Sequence, residues 1–222
     1  TRQFDYTYIV VKEEFNEEYN VKTDDYSRED LFSVMKVNQF ARIPTDNYPY
    51  HFLTSVFVQR DDPAQVHKLT SSSQEWCGNT FKEFLHEDGQ YRYIYHSYWD
   101  GEGDGSRDLP ATPLFEDQLF YTLRSLRFEE GLRFAAPVYP TVKTSKAALA
   151  APYEATFTVS EDSLEGRQEP VWLVTANLGE GRTNRYWFAK EYPNHMLKQQ
   201  TWDGRYLLLK ATERNDYWVQ RQ

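Results

Sequence analysis

The sequence predicts a mainly β protein: a large curved antiparallel sheet, a half-barrel, wrapping one amphipathic helix. Three observations predict it. Apolar and polar residues alternate with period two through most of the chain. Glycine-bearing turns separate these runs at the short spacing of a meander. One segment alone, from Pro113 to Leu126, switches to helical spacing.

In order along the chain, Phe4, Tyr6, Tyr8 and Val10 share one face of a first strand, with Asp5, Thr7 and Ile9 opposite. After the acidic connection from Asp24 to Asp30, strands run from Leu31 to Phe40 and from His51 to Arg60, the second preceded by a Tyr48-Pro49-Tyr50 turn. Val66 to Ser73 and Trp76 to Leu85 continue the meander. Glu87-Asp88-Gly89 makes a hairpin, because Asp-Gly supplies the positive φ such turns need. The next strand is the clearest, with Tyr91, Tyr93, Tyr95, Ser97 and Trp99 on one face and Arg92, Ile94, His96 and Tyr98 on the other.

Thr112 is a helix cap with Pro113 at the first helical position, and Glu116 and Asp117 suit the positive end of the dipole. Phe115, Leu119, Leu123 and Leu126 then form an apolar stripe. Ala147 to Ala151, followed by Pro152, reads as an irregular loop. Strands resume at Ala155 to Ser160, Val171 to Leu178, Arg182 to Ala189, Met196 to Trp202, Arg205 to Ala211 and Tyr217 to Arg221. Gly179-Glu180-Gly181 and Asp203-Gly204 mark hairpins between them. Such strands bury their apolar faces either by curving around the helix or by packing as two sheets face to face. The first is favoured, because the helix stripe needs a concave apolar surface and the aromatic-rich strands on both sides of it supply one. No composition shift divides the chain, so residues 1–222 read as a single domain.

Composition narrows the function. Against 25 Lys and Arg stand 34 Asp and Glu, a net charge of −9. That argues against nucleic acid, whose phosphates call for a basic face, and against the anionic surface of a membrane. No apolar run approaches the ~20 residues of a membrane-spanning helix. Aromatics at 17% exclude a disordered chain. The chain starts at Thr1, which fits prior removal of a targeting segment.

Ser73-Gln74-Glu75-Trp76-Cys77-Gly78, then His96-Ser97-Tyr98-Trp99 and Gly101-Glu102-Gly103-Asp104, together resemble an uncharacterised family of bacterial envelope proteins. Lys36-Val37-Asn38, Tyr48-Pro49-Tyr50 and Glu116-Asp117 fit the same pattern. Some members of that family carry the label Maf-like septum formation inhibitor, although Maf enzymes are α/β pyrophosphatases and this chain reads as β. The pattern is also similar to half-barrels of the LolA and LolB lipoprotein-carrier kind. The resemblance implies export to the periplasm or association with the outer membrane after loss of a signal segment, and it suggests a lipid-like ligand.

Several constellations are candidates for chemistry. In the run from Asp100 to Asp108, Asp100, Glu102, Asp104 and Asp108 sit among glycines as in the front half of a calcium loop, so they are the candidate ligands of a calcium ion. Ala111 stands where such a loop ends in a bidentate acid. Cys77, Glu75 and His96 would serve a hydrolase if their strands brought them together, since a thiol nucleophile needs a base within hydrogen-bond reach. The simpler reading of Cys77 is a small buried hydrophobe opening a strand. The aromatic excess carries more weight. Tyr91, Tyr93, Tyr95 and Trp99 on one strand, with Trp187 on another, are the candidate lining of a groove for an apolar or amphipathic ligand. The expectation is therefore a non-catalytic exported binding protein, with the helix plugging or gating the groove. A hydrolase and a calcium-stabilised interaction module are the alternatives.

Overall fold

Alternating runs joined by turns too short for a crossover must pair antiparallel in sequence order. The computed structural model, which describes residues 2–216, has this arrangement. Within those residues β1 (Tyr6–Asn16), β2 (Val21–Lys22), β3 (Leu31–Ile43), β4 (Tyr50–Gln59), β5 (Val66–Glu75), β6 (Gly78–Glu87), β7 (Gln90–Ser97) and β8 (Asp104–Pro110) form an eight-stranded sheet. Its order is β2-β1-β3-β4-β5-β6-β7-β8. A second, seven-stranded sheet contains β9 (Leu114–Phe115), β10 (Arg133–Tyr139), β11 (Tyr153–Asp162), β12 (Val171–Asn177), β13 (Thr183–Ala189), β14 (Met196–Gln200) and β15 (Tyr206–Leu208). Both sheets curl as half-barrels, so the mainly β class stands. The strands divide between two sheets instead of sharing one.

The helical segment is shorter than the spacing predicts. A 3-10 turn at Glu116–Gln118 leads into α1 (Leu119–Thr122), and a second 3-10 turn at Leu123–Ser125 closes it. Two local facts trim it. Leu114 and Phe115 are extended as β9, pairing in parallel with Val138 and Tyr139. At the other end Leu126 leaves helical geometry at ψ 140°. The segment still buries the expected stripe. Phe120 packs with the first sheet's core (Val56, Leu69, Phe84, Tyr93), whereas Leu119 and Leu123 pack with the second's (Phe157, Val174, Phe188). It therefore joins the two cores.

Besides the two-residue strands β2 and β9, two longer strands lack a sequence signal. β8 is polar on both faces and lies at the sheet edge, where one-sided burial does not impose alternation. It pairs with β7 from Gln90↔Pro110 to His96↔Asp104, so much of the run read as an acidic loop is strand. β10 includes Ala135, Ala136 and Pro137, which blur its pattern. The strand expected at Tyr217 to Arg221 lies outside the described residues.

Candidate functional site

Residues 140–150 are without regular secondary structure and cross the concave face of the first sheet. Backbone amides and carbonyls in such a strap have no ladder to join, yet once buried they need partners. Side chains from the sheet and helix supply them. Lys82, on β6 and 2% exposed, donates from Nζ to the Val142 carbonyl at 2.6 Å, the Thr144 carbonyl at 2.8 Å, Thr144 Oγ1 at 3.0 Å and the Lys146 carbonyl at 2.9 Å. Four oxygens thus surround three N–H bonds. Burial pushes the Lys82 amine down to about 8, opposed by Asp117 and Glu102, so it is still an ammonium at neutral pH.

Two carboxylates hold the strap amides. Asp117, whose side chain is fully buried, accepts from Val142 N and from the Thr141 hydroxyl, both at 2.7 Å, and pairs with Lys143 at 2.8 Å. Burial alone would raise its pKa, but Lys143 and these hydrogen bonds outweigh burial and hold it below the usual value. Glu102 accepts from Ala147 N at 2.8 Å, Ala148 N at 3.1 Å and the Ser97 hydroxyl at 2.5 Å. Tyr93 Oη donates to the Ala147 carbonyl, and Trp99 Nε1 donates to the Ser145 carbonyl at 2.8 Å.

Between this strap and the end of the second sheet lies a cavity of about 230 Å³. The strap supplies more than half of its lining. Tyr93, Leu149, Tyr153 and Trp202 give it apolar and aromatic walls, while Lys82, Glu116, Asp203 and Arg205 give it polar ones. Glu116 is 6% exposed and pairs with Arg205 Nη2, and Arg205 Nε lies 2.9 Å from Asp203 Oδ2. Burial raises the Glu116 carboxyl even against the pull of Arg205. For Arg205, burial is outweighed by its two carboxylate partners, which raise its pKa. The cavity lining therefore combines balanced charge with aromatic rings.

The residues proposed as a ligand lining do not converge. Tyr91 and Tyr93 are buried, stacked and edge-packed against Phe84 and Phe115, so they are core; Tyr93 alone of the five lines the cavity. The Tyr95 ring lies against Gly105, where a Cβ would come within 2.5 Å of its hydroxyl. Trp99 ties down the strap. Trp187 packs with Val171, Ala189 and Leu197, apart from its neighbours Tyr186 and Phe188, and donates to Asp162.

Among the described residues no three His, Cys, Asp or Glu side chains gather into a metal-binding group. Of the proposed calcium ligands, Glu102 is committed to the strap, Asp104 faces His96 at 3.3 Å, Asp108 sits in β8 opposite Arg92, and Asp100 is exposed. Cys77 is exposed in a turn, 2.9 Å from Tyr48 Oη, which corrects its reading as a buried hydrophobe. Glu75 and His96 alternate onto opposite faces of the sheet with β6 between their strands, so Glu75, Cys77 and His96 form no catalytic group. Lys82, Arg205 and the buried role of Glu116 and Asp117 escaped the sequence reading. The available signal was an acidic pair flanked by Phe115 and Leu119, where burial demands cationic partners.

No family model, curated protein or solved structure matches this chain. No helix among the described residues is long and apolar enough to cross a membrane.

Proposed function

We propose that this protein binds a small amphipathic molecule in the cavity beneath the strap and carries out no reaction on it. One observation carries the reading: ring and aliphatic side chains of Tyr153, Trp202 and Leu149 line one cavity together with the Arg205–Glu116–Asp203 group. Such division into an apolar body and a few placed polar groups is the usual make-up of a ligand pocket. Size limits the occupant. At about 230 Å³ the cavity is below the ~300–1,000 Å³ of drug-sized sites, which favours a short acyl chain or one ring with a polar head over a diacyl lipid. The envelope setting implied by the sequence resemblance belongs to the same proposal, and cell fractionation tests it.

Titration with sodium decanoate, followed by calorimetry, tests the binding itself. The expected result is a saturable one-to-one isotherm that Leu149→Trp abolishes by filling the cavity while the protein remains folded. Failure to bind decanoate or neutral decanol, or an isotherm untouched by Leu149→Trp, would contradict the reading.

A further inference from the structure

A second feature lies apart from this cavity, at the end of the first sheet where β5 turns into β6. Three buried side-chain oxygens there have no hydrogen-bond partner among the described residues: Ser73 Oγ, Glu75 Oε2 and Thr80 Oγ1. Ser73 is 2% exposed and Thr80 1%. Folded proteins leave few buried polar atoms unpaired, and each one lost from water carries a real cost. These three are neighbours. Ser73 and Thr80 are directly opposite in the β5–β6 ladder, and Glu75 is two residues along the same face, opposite Gly78. Directly opposed side chains start about 5 Å apart.

The surroundings are built for close approach. Gly78 has no side chain, and the Tyr98 ring lies against it: a Cβ there would come within 2.4 Å of Tyr98 Cγ and Cδ2. The ring is 58% exposed on its outer side. Trp76, 80% exposed, stacks on Tyr48 in the same turn region, with ring centroids 5.2 Å apart. The Tyr98 ring thus lies beside the ladder position opposite Glu75, and a second aromatic pair stands in the adjoining turn.

We propose that this end of the sheet recognises a primary ammonium group. A carboxylate oxygen only accepts, and a hydroxyl oxygen has lone pairs to offer, so three oxygens match the three N–H bonds of R–NH3⁺. The protein already uses this solution two residues further along β6, where the Lys82 ammonium is ringed by oxygens alone. Tyr98 and Trp76 add cation–π attraction and a surface for the carbon chain behind the amine. The net charge of −9 favours approach of a cation. An inorganic calcium ion fits poorly, since it takes six to eight oxygens.

Calorimetric titration of the intact protein with n-butylammonium chloride tests this, with tetramethylammonium chloride and n-butanol as comparisons. Saturable binding is expected for butylammonium alone, because tetramethylammonium has no N–H to donate and butanol has no charge. Glu75→Gln is expected to weaken binding about tenfold or more and Ser73→Ala by a smaller factor, with thermal melts confirming that both fold. Equal binding of butylammonium and tetramethylammonium would overturn the proposal, as would butylammonium binding that survives Glu75→Gln. Absence of butylammonium binding to the unmodified protein would also overturn it, and would assign the three oxygens to trapped water.

Discussion

The concave face of the first sheet has two halves with opposite chemistry. Toward the β6–β7 hairpin it is apolar: Val58, Val66, Leu69, Phe84, Tyr91 and Tyr93 are all buried and close directly on Phe115. Toward the other end the same strands bury Thr54, Ser71, Ser73, Thr80 and Lys82. The strands run on through the change, and the one irregularity in their pairing, between Phe57 and Val58, lies within the apolar half, so backbone geometry does not cause the change. What differs is the cover. The apolar half is covered by side chains, which ask only for close packing. In the polar half Ser71 and Lys82 lie under irregular backbone at residues 140–150, which must be supplied with hydrogen bonds. A buried lysine is thus the counterpart of a buried valine, each suited to what lies above it.

Substitutions in the two halves should fail differently. Phe84→Ala in the apolar half should cost about 3–5 kcal/mol by opening a cavity in the core, and denaturant melts should show one cooperative transition at lower midpoint. Lys82→Met should cost about 3 kcal/mol, because three strap carbonyls lose a charged donor. It should release the strap selectively, so that hydrogen exchange accelerates at residues 140–150 well before the sheet responds. A uniform acceleration across the sheet would erase the distinction between the halves.

A third test uses pH on the outer side of the apolar end. His67 packs against Phe32 with ring centroids 4.6 Å apart and meets Asn20 through Nε2 at 2.8 Å. Burial, with lesser repulsion from His86 and Lys68, pushes its imidazole down to about 4. The unfolded chain takes up the proton near 6.5, so the folded state is favoured above that pH and loses stability as pH falls from about 6.5 toward 4. The loss should be about 2 kcal/mol, reduced from the full shift because the ring is partly exposed. His67→Gln should flatten this part of the stability profile, leaving the carboxylate losses at lower pH. The smallest effect is expected from Glu102→Gln, about 1 kcal/mol, with faster exchange confined to Ala147 and Ala148.

Much of the fold was legible because alternation records burial. Val37, Val56 and Phe157 each sit inward at the spacing that alternation predicts, and Asp88-Gly89 and Asp203-Gly204 turn where their backbone freedom predicts. The edge strand β8 was not legible, since Asp104–Pro110 has no buried face to impose a pattern. The site was less legible still. Tyr91, Tyr93 and Trp187 carry the composition of a ligand lining, but aromatic rings serve cores equally well, and the sequence holds no record of which rings face a cavity. Lys82 was hidden for a similar reason. Its neighbours Phe81 and Phe84 point to opposite faces, so alternation gave no sign that the lysine points inward, and its partners lie about sixty residues away. Glu116 and Asp117 looked like helix-end acids, whereas tertiary partners at Arg205 and Lys143 define them.

The most direct test of the two-halves account is residue-resolved hydrogen exchange on the unmodified protein, read at Val142, Ala147 and Ala148. Held by Asp117 and Glu102, these strap amides should be protected nearly as strongly as those of β5 and β6. Exchange there as fast as in the exposed turn at Gly179–Gly181 would show that the polar half does not hold its strap, and would remove the wall on which the proposed binding cavity depends.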